Sequence, residues 1–214
     1  MTQRLSLVLS LTALVVAVFA SPLIGQATGQ SIDYPEAGAR VPSAVAPDCS
    51  AAPYPGIGLP GCNLQSASLA GANLTDGNLT GANLTSADLS NATMTGARLV
   101  GARFALANLT GANLTGADLT AADLGGAKME DAGFAAADLY GANLIQADLL
   151  DASLVDTDLY GANLTGANLT GANLNAADLS HVLWSGTTCP DGTNSNSDGG
   201  TCTHNLLRFG EARG

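Results

Sequence analysis

The chain has 214 residues, of which 46% are hydrophobic, 4% aromatic and 12% charged. Its 18 acidic residues outnumber its 7 basic residues, so the formal net charge at pH 7 is −11. This acidity argues against direct binding of nucleic acid, which requires clusters of Lys and Arg. It also fits a soluble protein that works outside the cytoplasm.

Residues 1–27 have the composition of a secretory signal peptide. Arg4 precedes a largely apolar run over residues 5–20, and cleavage after Ala20 or after Ala27 satisfies the preference for small residues. We therefore expect export to the periplasm or secretion. The alternative is an uncleaved membrane anchor, although the run is shorter than the about 20 residues that a bilayer span needs.

Residues 28–61 are rich in Pro, Gly, Ala and Ser, and they show no sustained hydrophobic period. This composition predicts a linker or disordered spacer over the first part of the segment. Cys49 and Cys62 bracket a Pro-rich loop at the end of the segment. We expect this loop to cap the N-terminal end of the domain that follows.

A five-residue period dominates residues 62–184. A bulky apolar residue occupies every fifth position from Leu64 to Trp184, and two positions before each one lies a small residue, usually Ala. An α-helix turns about 100° per residue and a flat strand alternates faces, so neither element places residues five apart on one side. Within a repeat, Ala and Leu are two apart and share one face of an extended segment. The chain must therefore turn a corner after each pair, which predicts a coil lined with Ala and Leu.

The repeating pentapeptide resembles the A(D/N)LXX signature of the pentapeptide-repeat family, as in Gly-Ala-Asn-Leu-Thr at 71–75 and 81–85. The resemblance covers residues 62–184. It implies an all-β fold, namely a right-handed quadrilateral β-solenoid with four pentapeptides per coil and about six coils in this chain. An independent hint of four sides is the sequence Asp-Leu-Tyr-Gly-Ala-Asn-Leu, which occurs at 138–144 and again at 158–164.

Residues 185–214 are predicted to form a C-terminal cap and tail, in which Cys189 and Cys202 bracket a loop rich in Gly, Asn and Ser. Four cysteines permit three pairings. Bridged Cα atoms lie within about 7 Å, whereas the two cysteine pairs flank a solenoid on the order of 30 Å long. We therefore predict the disulfides Cys49–Cys62 and Cys189–Cys202, which would close the two end caps after export. The alternative for Cys62 is a buried free thiol at an inner position.

Four-sided winding places four aspartates in register on one face, and we call them the acidic ladder: Asp118, Asp138, Asp158 and Asp178. Such a ladder could hold a cation or imitate a phosphate backbone. Some pentapeptide-repeat proteins that confer quinolone resistance are similar to duplex DNA and bind DNA gyrase, although the predicted leader argues against a cytoplasmic partner. The alternative is that Asp and Asn exchange freely here, because exposed charges about 4.8 Å apart repel by only roughly 1 kcal/mol in water.

The C-terminal loop carries oxygen ligands spaced as in the first half of a calcium-binding loop. The candidate ligands are Asp191, Asn194, Asn196 and Asp198. The match lacks the Glu that ends such loops, and the same residue types are common in closed turns. Calcium is therefore one interpretation, and a purely structural turn is the other.

No catalytic motif accompanies these features. The two histidines, His181 and His204, lie outside any nucleophile–base pattern, and the sequence has no phosphate loop or dinucleotide fingerprint. We predict an exported, non-catalytic scaffold that binds an unknown protein or an envelope polymer. It needs no cofactor unless calcium binds, contacts no nucleic acid and keeps no membrane anchor after cleavage. The alternatives are a DNA-mimic inhibitor of gyrase and a calcium-binding exported protein, and the oligomeric state stays open.

Overall fold

The computed structural model describes residues 47–197 and 199–203. Parallel bridges join each pentapeptide to the one 20 residues later, from Gly58 with Asn78 to Asn168 with Thr188. Four pentapeptides therefore complete one turn, and the stacked turns form a β-solenoid with four faces. Within the described residues every bridge is one residue wide, and the only helix is a 3-10 helix, Ser195–Ser197.

Each pentapeptide turns its corner through a β-turn. In one early repeat the Ala67 N–H donates to the Leu64 carbonyl at 3.0 Å, and the third residue of the turn, Ser66, has a φ of 56°. A positive φ at this place is typical of a type II turn, and it favours Gly because Gly has no Cβ. This requirement explains why the consensus pentapeptide ends in Gly.

Neighbouring turns are joined by backbone hydrogen bonds around each bridge. The Leu64 N–H donates to the Asn83 carbonyl at 2.7 Å, and the Asn83 N–H donates to the Cys62 carbonyl at 2.8 Å. The pattern repeats along the solenoid, so the Leu N–H and the Ala carbonyl pair with adjacent coils, while the Ala N–H and the Leu carbonyl pair within the β-turns. The narrow coil is thus stable without any long strand.

The core is a column of Leu and Ala side chains inside the coil, as the five-residue period predicts. Leu114 and Phe104, near its middle, are 0% exposed. Thr157 takes an Ala position and is equally buried, and its hydroxyl donates to the Phe134 carbonyl at 2.8 Å. The hydroxyl is therefore satisfied, which explains how a polar residue is tolerated there.

The regular winding extends one repeat beyond residues 62–184 at each end. Ile57 and Leu59 are buried at the inner positions before the predicted start, and Thr187 and Cys189 are buried at those after the predicted end. These repeats depart from the consensus because Ile and Thr replace Ala, and Cys replaces Leu. Their backbone nevertheless continues the same 20-residue register.

Gly77 occupies an inner position at which a Cβ would meet close neighbours. A Cβ on Gly77 would lie 2.9 Å from the Leu74 carbonyl oxygen, 3.1 Å from Leu79 Cδ1 and 3.4 Å from Ile57 Cγ2. We expect Gly77→Ala to lower the free energy of unfolding by about 1–3 kcal/mol through overpacking. The nearest atom is a backbone oxygen that Ile57→Ala leaves in place, so we expect a similar cost in that background. A double-mutant cycle in denaturant checks this, and a much smaller cost in the Ile57→Ala background would contradict it.

Both predicted disulfides are present, with Cα atoms 5.5 Å apart in Cys49–Cys62 and 5.3 Å apart in Cys189–Cys202. Cys62 is therefore not a free thiol. In each pair one partner occupies an inner position of a terminal turn, namely Cys62 or Cys189, and both of these are buried. Each bridge thus ties a flanking loop directly to the core.

Several sequence predictions fall on residues that the structure does not describe. The signal peptide, residues 1–27, the linker up to residue 46 and the tail after residue 203 lie outside the described residues. A search of the described residues for a helix with the length and apolar character of a membrane span finds none.

Candidate functional site

The acidic ladder lies in one column of the solenoid, by which we mean the outer residues that are 20 positions apart and stack on one face. Consecutive bridges join Asp118 to Asp138, Asp138 to Asp158, and Asp158 to Asp178, while Arg98 precedes Asp118 in the same column. The winding therefore brings together the four aspartates that the 20-residue register selects. The sequence spacing alone was sufficient to find them.

Each ladder carboxylate holds the backbone of its own pentapeptide. Asp138 Oδ1 accepts the Tyr140 N–H at 2.9 Å, and Asp158 Oδ1 accepts the Tyr160 N–H at 2.8 Å. Asp118 and Asp178 accept in the same way from the amide two residues later. This hydrogen bond is an Asx turn, which Asn makes equally well. It gives a structural reason for Asp or Asn at this position in 17 of the 25 repeats from Leu64 to Trp184.

Two other faces show what Asn adds to a column. Asn143 Nδ2 donates to Asp123 Oδ1 at 2.8 Å, and Asn168 Nδ2 donates to Asp148 Oδ1 at 2.9 Å, in each case across one turn of the solenoid. A carboxylate has no proton to donate, so two successive aspartates cannot form this bond. The acidic ladder therefore concentrates charge and lacks the side-chain bonds that join Asn to Asp elsewhere.

A stack of aromatic rings runs beside the ladder. The rings of Tyr140 and Tyr160 are 5.3 Å apart between centroids and 2° from parallel, and the His181 ring is tilted by 56° at 4.8 Å from Tyr160. Both tyrosines lie in the repeated Asp-Leu-Tyr sequence, but their stacking was not predicted. The signal was the exact 20-residue repetition of Asp-Leu-Tyr, which places like side chains directly above one another.

Asp178, the last carboxylate of the ladder, is held in its charged form. The Ser180 hydroxyl and N–H hydrogen-bond to it and, together with a smaller contribution from His181, lower the pKa of Asp178 below the ordinary aspartate value. A lowered folded-state pKa stabilises the fold above the ordinary pKa, and this contribution disappears as the pH falls through the folded-state value. We expect Ser180→Ala to raise the pKa of Asp178, measured by carboxyl NMR titration. An unchanged titration would show that the hydroxyl does not set it.

The predicted calcium ligands hold the C-terminal loop against the last turn. Asn194 Oδ1 accepts the Asn196 N–H, and Asn196 Oδ1 accepts the Gly186 N–H, each at 3.0 Å. Asp191 Oδ1 accepts the Thr193 N–H within the loop. Asp198 lies outside the described residues. In the described part of the chain, no group of three or more His, Cys, Asp or Glu is placed to hold a metal ion. The Asn oxygens thus have a structural use, and calcium binding stays a prediction.

A single coil of pentapeptide repeats, four to a turn, with an inner core and four outer faces defines a β-solenoid repeat protein. The family described as pentapeptide repeats matches the chain in 8 copies over residues 62–99, 87–126, 97–134, 137–175 and 151–183. Together these matches cover more than half of the chain. The chain belongs to the pentapeptide repeat family.

Solved structures similar to this chain are also pentapeptide repeat proteins. HetL from the cyanobacterium Nostoc, involved in the regulation of heterocyst differentiation, is 32% identical over 64% of this chain and 78% of its own, with a TM-score of 0.27. A pentapeptide repeat protein of the Arabidopsis thaliana thylakoid lumen is 25% identical over 57% and 88%, with a TM-score of 0.34. QnrB1, a plasmid-mediated fluoroquinolone resistance protein, is 18% identical over 61% and 76%, with a TM-score of 0.32. A comparison with curated proteins gives no match.

Proposed function

We propose that this protein is an exported, non-catalytic scaffold whose outer faces bind another protein or an envelope polymer. In this proposal the solenoid is right-handed and quadrilateral, with about six coils. The disulfide loops act as caps that keep further chains from pairing with its ends. The mature protein works in the periplasm or outside the cell and keeps no membrane anchor.

The observation that carries this proposal is the attachment of both disulfides to the core. Cys62 and Cys189 take inner positions where other repeats place Ala or Leu, and both are bonded to cysteines of flanking loops. Disulfides persist in oxidising compartments and are rare in the cytosol. Core-anchored bridges at both ends therefore favour a protein that folds after export, in agreement with the predicted leader.

The division between inner and outer residues supports a binding role. The buried side chains are apolar with few exceptions, so the chemistry available to a partner lies on the outer faces. There, Asn and Asp hold their own turns and leave flat rows of polar groups at a fixed spacing. A rigid surface of this kind offers repeated contacts with little loss of conformational entropy on binding.

Export is tested by expressing the full chain with its own leader in a Gram-negative bacterium. We expect the periplasmic fraction to contain protein that starts after Ala20 or Ala27, with all four cysteines oxidised, as read by intact mass before and after alkylation. Cytoplasmic protein with an intact leader and free thiols would overturn the proposal. A matched variant, Leu9→Arg, should block export and leave the precursor in the cells.

Two further functions each rest on one observation. The uninterrupted Asp118–Asp178 column favours imitation of a phosphate backbone by a gyrase inhibitor. A supercoiling assay tests this function, since absence of inhibition at micromolar protein counts against it. The oxygens of the C-terminal loop favour a calcium-binding protein, which calorimetric titration tests through heat release and a raised melting temperature.

A further inference from the structure

One corner of the solenoid carries a large apolar side chain in an unfavourable conformation. Leu106 is the third residue of its turn, with a φ of 60°, and its side chain is 67% exposed. Thirteen non-glycine residues of the described chain have positive φ, and Leu106 is the only large apolar one among them. Gly would relieve both the backbone strain and the exposure. A residue that bears both costs is a candidate contact for a partner.

The following turns shape the surroundings of Leu106. The next turn places Gly125 and Gly126 at this corner, and a Cβ on Gly126 would lie 3.0 Å from Leu106 Cδ2. The turn after that places Gln146 in register with Leu106 and Ile145 beside it, with the Ile145 side chain 37% exposed. We call this surface the Leu106 corner: Leu106, Gly125, Gly126 and Ile145. Its two apolar side chains are separated by two turns, or about 9.6 Å along the solenoid.

Two exposed cations adjoin the Leu106 corner, one on each face. Arg103 lies three residues before Leu106, and Lys128 is bridged to Asn108, two residues after it. Neither side chain makes a hydrogen bond or an ion pair within the described residues. Asp123 is bridged to Arg103 and Asp148 to Lys128, and both carboxylates accept hydrogen bonds from the chain itself. Each cation thus lies beside a carboxylate without an ion pair to it, and its N–H groups can donate to a ligand.

We propose that the Leu106 corner binds an acidic peptide segment of a partner protein, with two apolar side chains three residues apart. A polyproline II segment rises about 3.1 Å per residue and has three residues per turn, so residues i and i+3 lie on one side about 9.3 Å apart. This distance is close to the rise of two solenoid turns, about 9.6 Å, between the levels of Leu106 and Ile145, while flanking carboxylates of the peptide meet Arg103 and Lys128.

The test uses the purified protein and a fluorescein-labelled peptide of sequence Glu-Leu-Asp-Glu-Leu-Asp. We expect saturable binding by fluorescence anisotropy, with amide NMR shifts confined to Arg103, Leu106, Lys128, Ile145 and their neighbours. Leu106→Gly, which restores the common corner residue, should weaken binding about five-fold. Arg103→Gln combined with Lys128→Gln should weaken it about ten-fold at low salt and remove most of its salt dependence.

The matched control is Leu183→Asn, which replaces another exposed Leu, 56% exposed, by the residue common at its position. This variant should bind the peptide like the parent protein. Absence of binding, shifts elsewhere on the surface, or equal loss in Leu183→Asn would overturn the inference. So would preferential binding to vesicles of phosphatidylcholine and phosphatidylglycerol in equal parts. The inference deepens the proposed scaffold role, and leader cleavage tests export separately, so either can fail alone.

Discussion

Leu114→Asp should prevent the solenoid from folding. The Leu114 side chain is 0% exposed, and the inner residues 20 positions before and after it, Met94 and Phe134, are also 0% exposed. A carboxylate at this point would have apolar neighbours on both sides and no water. Burying an unpaired charge costs several kcal/mol even after relaxation. That cost is comparable to the whole stability of an average domain.

Circular dichroism and size exclusion of the purified variant measure this effect. The control is a substitution of the adjacent outer residue. Asn113 is exposed, and its Oδ1 accepts the Thr115 N–H at 3.0 Å. Asn113→Ala removes this one bond, so we expect it to fold and to lose about 0.5–1.5 kcal/mol. If Leu114→Asp melts like the parent protein, the inward assignment of the leucines is wrong.

Removing the C-terminal disulfide should have the second largest effect. Cys189 and Cys202 are both 0% exposed, and the bridge closes a loop with a sequence separation of 13. In the chain-entropy model a loop of about 15 residues contributes about 3 kcal/mol. The loop also supplies Ser195, whose hydroxyl donates to the Trp184 carbonyl, the last large inner residue of the predicted repeat region. We therefore expect Cys189→Ala with Cys202→Ala to lose at least that amount.

The prediction is checked by denaturant unfolding of this double variant. The parent protein is unfolded in parallel, with and without reductant. The matched control is Cys49→Ala with Cys62→Ala, which removes a bridge of the same sequence separation at the other end. Cys49 is exposed, so this control should lose mainly the loop-closure term. Equal stability of the C-terminal variant and the parent would show that the loop does not secure the last turn.

The core was predictable because its pattern has one dominant constraint. A five-residue period with a small residue two positions before a large one admits a single way of burying both, and the 20-residue repetition of Asp-Leu-Tyr gives the register. The end repeats were missed because Ile57 is larger than the Ala of the pattern and Cys189 is smaller than its Leu. Their place in the register becomes visible only when residues 20 apart are placed next to each other.

The sequence was sufficient to predict where the candidate site lies, but not what chemistry it performs. The register identifies Asp118, Asp138, Asp158 and Asp178, but most repeats hold Asn or Asp at this position, where the side chain accepts the amide two residues later. Because this hydrogen bond alone explains Asn or Asp there, their presence does not indicate selection for a function. Leu106 shows the converse case, because nothing in the fold requires Leu at a corner with positive φ. Departures from the structural rule are therefore more informative about function than agreement with it.

The 20-residue register has a consequence for how such a chain can change its length. A duplication of five residues would keep every Leu and Ala inside, yet it would shift all later columns by a quarter of a revolution. The four aspartates of the ladder would then lie above a different set of residues, although the interior stayed the same. Only gains or losses of whole revolutions preserve each surface column, so selection on a binding face should appear as indels in multiples of 20.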